Sequence, residues 1–177
     1  MKKKTLALVL ALTLLVAGIV GGTLAWLTDQ TDEVKNTFTV GDINIGLTET
    51  TADYKMVPGN TIAKDPTVTV KANSEACWLF VKITESTDLK DFITYAIAEG
   101  WTALPGVDGV YYREVPASAA DQTFSVLAGD AVTVKSDVTR TMLETAKTDA
   151  PTLTFQAYAI QRDHFATADA AWAEVSK

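Results

Sequence analysis

The sequence predicts one mostly β domain, a sandwich or barrel with a few short helices, preceded by a signal peptide. Three observations carry this. Short segments alternate apolar and polar residues with period two, glycine- and proline-bearing turns separate them, and an uncharged apolar run follows three lysines at the N-terminus.

The N-terminus comes first. Lys2, Lys3 and Lys4 form a positive start, and no charged side chain follows from Thr5 through Leu27. Leucines dominate the first part of that run, and Gly18, Gly21 and Gly22 interrupt the second. A charged start, an apolar stretch and a small-residue exit form the pattern that signal peptidase reads. Thr23-Leu24-Ala25 supplies the small residue, which places the cut between Ala25 and Trp26. The run is also long enough to span a bilayer, which takes roughly 20 residues. Retention as an anchor, with the lysines inside, is therefore the alternative; the glycines weigh against it by lowering helix propensity. Cleavage leaves residues 26–177 as a single domain, with 26–40 as an extended N-terminal segment.

The expected strands then follow in order. Ile43, Ile45 and Leu47 alternate with polar or small neighbours, as do Val68 and Val70 with Thr67, Thr69 and Lys71. Leu79, Val81 and Ile83 face one way and Trp78, Phe80 and Lys82 the other; because Trp78 and Phe80 are apolar too, the segment reads as a central strand covered on both faces. Further strands are expected at 110–113, 123–127, 131–135 and 152–160. Val57-Pro58-Gly59-Asn60 reads as a turn, and Pro105 to Gly109 as a hairpin loop. Gly129-Asp130 reads as another hairpin. Residues 88–98 carry an apolar helical stripe, although a strand over 92–98 fits as well. A turn or two of helix is expected near 141–147, and a closing helix over 165–175.

Charge and composition exclude several functions. The formal charge of the whole chain is −7, and loss of the three N-terminal lysines takes it to −10. Such a surface repels phosphate backbones, so no nucleic-acid partner is expected. Cys77 is the sole cysteine and sits among apolar residues, which reads as a buried thiol rather than a disulfide partner. His164 is the sole histidine. A zincin needs two histidines four apart around a glutamate, so that site cannot be built, and no Gly-x-Ser-x-Gly elbow is present. No catalytic residue, metal ligand or cofactor is assigned. The acidic Asp29, Asp32 and Glu33 lack the spacing of a calcium loop and read as a solvated stretch. Trp101, Tyr111 and Tyr112 flank one turn; a carbohydrate-stacking surface is one reading, core packing the plainer one.

Three stretches resemble a known family. The first is Gly21-Gly22-Thr23-Leu24-Ala25-Trp26-Leu27-Thr28-Asp29, continuing into Asn36-Thr37-Phe38-Thr39-Val40-Gly41-Asp42-Ile43. It is similar to the export signals handled by SipW-type signal peptidases. The second is Val57-Pro58-Gly59 with Lys64-Asp65-Pro66, Val68, Val70 and Ser74-Glu75-Ala76; the third is the strand over 154–161. Together they resemble the camelysin/TasA family of secreted surface and biofilm-matrix proteins of Gram-positive bacteria, with 88–150 matching by pattern alone.

The resemblance implies a jelly-roll-like antiparallel β-sandwich, secreted to the matrix or cell surface. It also implies a fibre subunit that polymerises with copies of itself when the N-terminal segment of one completes the sheet of the next. Trp26, Leu27, Phe38 and Val40 are the candidate donor-strand residues, because an extended segment can add to an open sheet edge. The bland alternative has residues 26–40 folding back as the protein's own first strand. Other matrix proteins are further partners, signal peptidase is one during export, and membrane contact is transient unless the leader is kept. Two rival functions stand beside this: a surface-anchored module binding glycan or protein, and a camelysin-like metallopeptidase. A type IV pilin is disfavoured, since no Gly-Phe with a following glutamate precedes the apolar run.

Overall fold

The computed structural model describes residues 42–50 and 55–177, together with Lys3. Residues 42–50 and 55–177 belong to one compact unit spanning Val40–Lys177. In chain order they form β1 (Ile45–Thr48), β2 (Thr61–Ala63), β3 (Thr67–Val70), β4 (Cys77–Glu85), α1 (Leu89–Phe92), β5 (Ile93–Thr94) and β6 (Thr102–Ala103). There follow β7 (Val110–Val115), β8 (Gln122–Ser125), β9 (Ala131–Val134), α2 (Arg140–Ala146), β10 (Leu153–Gln161) and α3 (Ala168–Val175). The protein is mainly β, and every strand pair is antiparallel.

One sheet has the order β10-β4-β7-β6, and the other strands form β1-β3-β8 and β2-β9-β5. The two three-stranded sheets share one ladder. Thr67 stands opposite Ser125 in the first, and Ala63 opposite Ala131 in the second. Between these pairs one strand has Lys64, Asp65 and Pro66, while the other runs from Val126 to Asp130. Backbone bonds cross the gap, Val126 N–H to Pro66 O at 2.9 Å and Lys64 N–H to Asp130 O at 2.7 Å.

The longer side loops its excess out in a 3-10 turn at Ala128–Asp130, with Gly129 at φ 65° and Asp130 at φ 50°. Gly129-Asp130 is therefore not the hairpin that its composition suggests. β8 and β9 lie end to end and do not pair with each other, because extra residues in a ladder bulge outward and let the strand continue.

The other turns form as expected. Asn60 N–H closes on Val57 O at 3.0 Å, and Leu104 N–H on Val110 O at 2.9 Å closes the β6–β7 hairpin. The two readings of 88–98 each hold for part of it. One turn of helix ends at Phe92, Ile93 turns extended, and β5 pairs with β9 while Ile97 bridges Leu127. Pairing across the chain overrides the local helical stripe, since Ile93 and Thr94 are β-branched and suit a ladder. α3 starts at Ala168 rather than at Phe165 because Thr167 is its cap: its side chain accepts from Ala170 N–H.

Strand β4 carries the core. Cys77, Leu79, Val81 and Ile83 face Val68 and Val70 of β3, with Val115 and Val126 alongside. Trp78 and Phe80, on the reverse face, are covered by Ala168, Ala171 and Trp172 of α3. Phe80 and Trp172 rings lie 5.3 Å apart, and Tyr158 meets Trp172 edge-on at 5.2 Å. A third cluster joins Leu89, Phe92, Val132, Val134 and Ala146 beneath β5 and β9.

Two glycines of the β6–β7 loop separate backbone strain from collision. Gly106 (φ +74°) has open space where a Cβ would stand, whereas a Cβ on Gly109 (φ +72°) would lie 2.4 Å from Ile83 O. Gly106→Ala is expected to cost about 1 kcal/mol, the penalty of a left-handed L residue. Gly109→Ala should cost about 3 kcal/mol or more, because backbone must move. Thermal melts of the two variants check this ordering, and equal shifts would contradict it.

Candidate functional site

The described features that bear most directly on association are strand edges. β10, nine residues long, ends its sheet among the described residues, and β1 ends the sheet it belongs to. β10 pairs residue for residue with β4, from Leu153 opposite Glu85 to Gln161 opposite Cys77. Its Leu153, Phe155, Ala157 and Ala159 pack on the inner cluster beside Ile43, Ile45 and Leu47, so β1 and β10 flank one seam of the sandwich. A strand at a sheet's end offers backbone N–H and C=O groups along its outer side.

A polar clamp fastens the end of β1 at this seam. Lys64, in the kink between β2 and β3, is buried and sets its ammonium 2.6 Å from Glu49 Oε1. The same ammonium lies 5.4 Å over the Phe155 ring of β10. One residue on, Asp65 receives Thr50 twice: the Thr50 N–H donates to Oδ1 at 2.9 Å and its hydroxyl to Oδ2. The hydroxyl bond, followed by the backbone bond, holds the Asp65 carboxyl below its ordinary value. Pro66, fully buried, fixes the kink from which both side chains project. At the other end of β1, Asn44 N–H donates to Ser74 Oγ at 3.2 Å and Glu75 N–H to Asp42 O at 3.1 Å. The sequence offered only weak signals for this clamp, because its partners are fifteen residues apart and meet through sheet pairing.

The residues singled out from the sequence fall as follows. Ala25 and Trp26 at the expected cleavage, and Trp26, Leu27, Phe38 and Val40 of the candidate donor strand, lie outside the described residues. So do the signal segment 1–25 apart from Lys3, the boundary at residue 40, and Asp29, Asp32 and Glu33. Cys77 is fully buried, and burial pushes its thiol up to about 11, which leaves it protonated and unreactive. Trp101, Tyr111 and Tyr112 form no common platform. Tyr112 packs with Trp78 and Phe80 on the helix-covered face, while Tyr111 and Trp101 belong to the inner cluster.

His164 sits in the 3-10 turn after β10, in a shallow cleft with Trp78, Glu114, Arg162 and Asp163. Glu114 is engaged by Arg162 at 3.1 Å. Among the described residues no three His, Cys, Asp or Glu side chains gather as a metal could require. A peptidase zinc takes three protein ligands and an open position beside a base. The residues around His164 do not fit that group, and no catalytic step is derived through one.

Fold and edges together define a class: an antiparallel β protein with two-sided core packing, in which β1 and β10 end their sheets among the described residues. The chain belongs to the camelysin family. A family model described as camelysin metallo-endopeptidase matches residues 1–90, just over half of the 177. That span runs from the N-terminus through β4 into α1. The family is extracellular or cell-surface associated. No curated protein and no solved structure matches the chain.

The Asp65 clamp sets a pH dependence. Its folded carboxyl titrates below the ordinary 3.8, so the clamp stabilises the fold above that value and loses its contribution as pH falls through the folded value. Thr50→Val should lower the melting temperature at neutral pH, and the gap from the parent chain should close below about pH 4. Melts across that range check it; a gap independent of pH would contradict the assignment.

Proposed function

We propose that this chain is a structural subunit of an extracellular or cell-surface fibre. In this reading the N-terminal segment of one copy, residues 26–40, extends the sheet of the next at the β1–β10 seam. The observation that supports it most is β10 itself: nine residues of regular strand, apolar inward, at the end of its sheet among the described residues. Backbone pairing along such an edge supplies affinity, and alternate side chains supply register. Phe38 and Val40 have the period-two spacing that one face of an added strand requires. The strand order also supports a jelly-roll-like topology, because the chain leaves the β2–β3 run, crosses to β4 in the opposite sheet, and returns to pair β8 with β3.

The family description favours a second reading, metal-dependent proteolysis. Against it stand a single histidine in the whole sequence and, among the described residues, no gathered ligand set. The fibre reading is therefore the one adopted.

Deleting 26–40 from the chain that begins at Trp26 should leave a folded β protein by circular dichroism, yet abolish fibres in electron micrographs at rising concentration. Fibres formed by the truncated chain would sink the donor-strand reading. The purified protein should also leave a protein substrate intact whether zinc or a chelator is added. Chelator-sensitive cleavage that copurifies with the chain would restore the peptidase reading.

A further inference from the structure

On the side of the sandwich away from β1 and β10, the chain holds an arginine in an unusual setting. Arg113 lies on β7 opposite Leu79 of β4, and antiparallel partners share a face, so its side chain points toward the sheet that carries β8. Its guanidinium carbon stands 3.9 Å over the Phe124 ring of β8 and 5.3 Å over the Trp101 ring. Trp101 is itself pinned, its indole N–H donating to Ser125 O at 2.9 Å. Gly100, at φ +84°, lets the backbone pass close by: a Cβ there would lie 2.8 Å from Nη2 and 3.4 Å from Nη1. The guanidinium therefore packs against two rings and a glycine.

The rings satisfy none of its donors. Among the described residues Arg113 has no ion-pair partner and no hydrogen-bond acceptor, and its Nε is sealed from solvent without one. A guanidinium carries five N–H donors in a rigid fork, and in the half-buried Arg113 the sealed Nε–H left without an acceptor is costly. Arg162 meets Glu114, and Lys64, Lys71, Lys147 and Lys177 each meet a carboxylate. Lys55, Lys82, Lys90, Lys135 and Arg140 also make no ion pair among the described residues, but none of them has a side-chain nitrogen sealed from solvent without a partner as Arg113 does.

We propose that Arg113, packed against Trp101, Phe124 and Gly100, is a binding site for a carboxylate. The fork geometry of guanidinium matches the two oxygens of a planar carboxylate. One unneutralised cation balances one negative charge, and the chain's own balance of −7 disfavours a multiply charged phosphate. The carboxylate comes either from an Asp or Glu side chain of a second copy or from a small acid in the medium; the chemistry at Arg113 is the same. Pre-orientation by the two rings reduces the ordering cost of binding. The site does not depend on the fibre reading, since it lies on the seam away from β1 and β10.

The sequence makes the test clean, because Arg113, Arg140 and Arg162 are the only arginines. In the intact nitrogen-labelled chain, sodium acetate should move the Arg113 Nε–H resonance saturably, while sodium chloride at matched ionic strength should not. Arg140 and Arg162 are the internal controls. The Trp101 indole N–H should follow Arg113 in the parent chain and lose its saturable response in Arg113→Lys, which keeps the charge without the fork. A source in a second copy shows as an Arg113 shift that appears on concentrating the protein and reverses on dilution. A small acid as the source shows as a shift that needs added acetate at every protein concentration. Equal responses in acetate and chloride would overturn the proposal, as would a Trp101 response that survives in Arg113→Lys. Should the lysine variant fail to fold, the comparison of three arginines in the parent chain decides the matter alone.

Discussion

Between Cys77 and Val81 strand β4 has no polar side chain to give to water, so both of its faces must be covered. The chain meets that demand differently on each side. Inward, β-branched residues of β3 interlock with Cys77, Leu79 and Val81 as one sheet face on another. Outward, the short helix α3 lays Ala168, Ala171 and Trp172 over Trp78 and Phe80, and the indole N–H of Trp78 donates to Phe165 O just ahead of the helix. Small alanines let the helix approach closely, and the large rings fill what remains. The helix, both neighbouring strands of β4 and the inner sheet are all positioned by this one strand.

The inner layer then has to reach across two clusters with a single long ladder, and a straight ladder would not. The kink at Lys64-Asp65-Pro66 and the bulge at Ala128–Asp130 face each other and divide it into two short sheets. The first packs on β4, and the second on Leu89, Phe92 and Ala146. The same kink projects Lys64 and Asp65 to hold the end of β1. A bend that serves packing thus also supplies the polar groups that fix an edge.

The two seams of the sandwich differ in chemistry. Beside β1 and β10 the charged groups are paired, Lys64 with Glu49, and the neighbouring strand presents apolar residues inward and a long backbone edge. Beside β7 and β8 an arginine lies over two rings with no acidic partner among the described residues. An edge of the first kind suits backbone pairing, and a point of the second kind suits an acidic group. Family membership is carried by residues 1–90, so the Arg113 site, β8 and β10 all lie beyond the matched span.

Much of the fold was legible in the sequence because it depends on local periodicity. Alternation marked β1, β3, β7, β9 and β10 to within a residue or two, the doubly apolar run marked β4 as central, and Pro58-Gly59 and Pro105-Gly106 marked real turns. The sole histidine, the sole cysteine and the family likeness were equally a matter of sequence. Tertiary structure decided what depends on contacts between distant residues. Gly129-Asp130 bulges instead of reversing because its strand already has a partner, β2, sixty-odd residues away. Residues 93–97 are extended because β9 and Leu127 pair with them. The Thr50–Asp65 clamp and the Arg113 stack exist only once sheets bring them together. Periodicity fixes which way a side chain points along its own strand, whereas what it meets there is set by the register of strands far away in the chain.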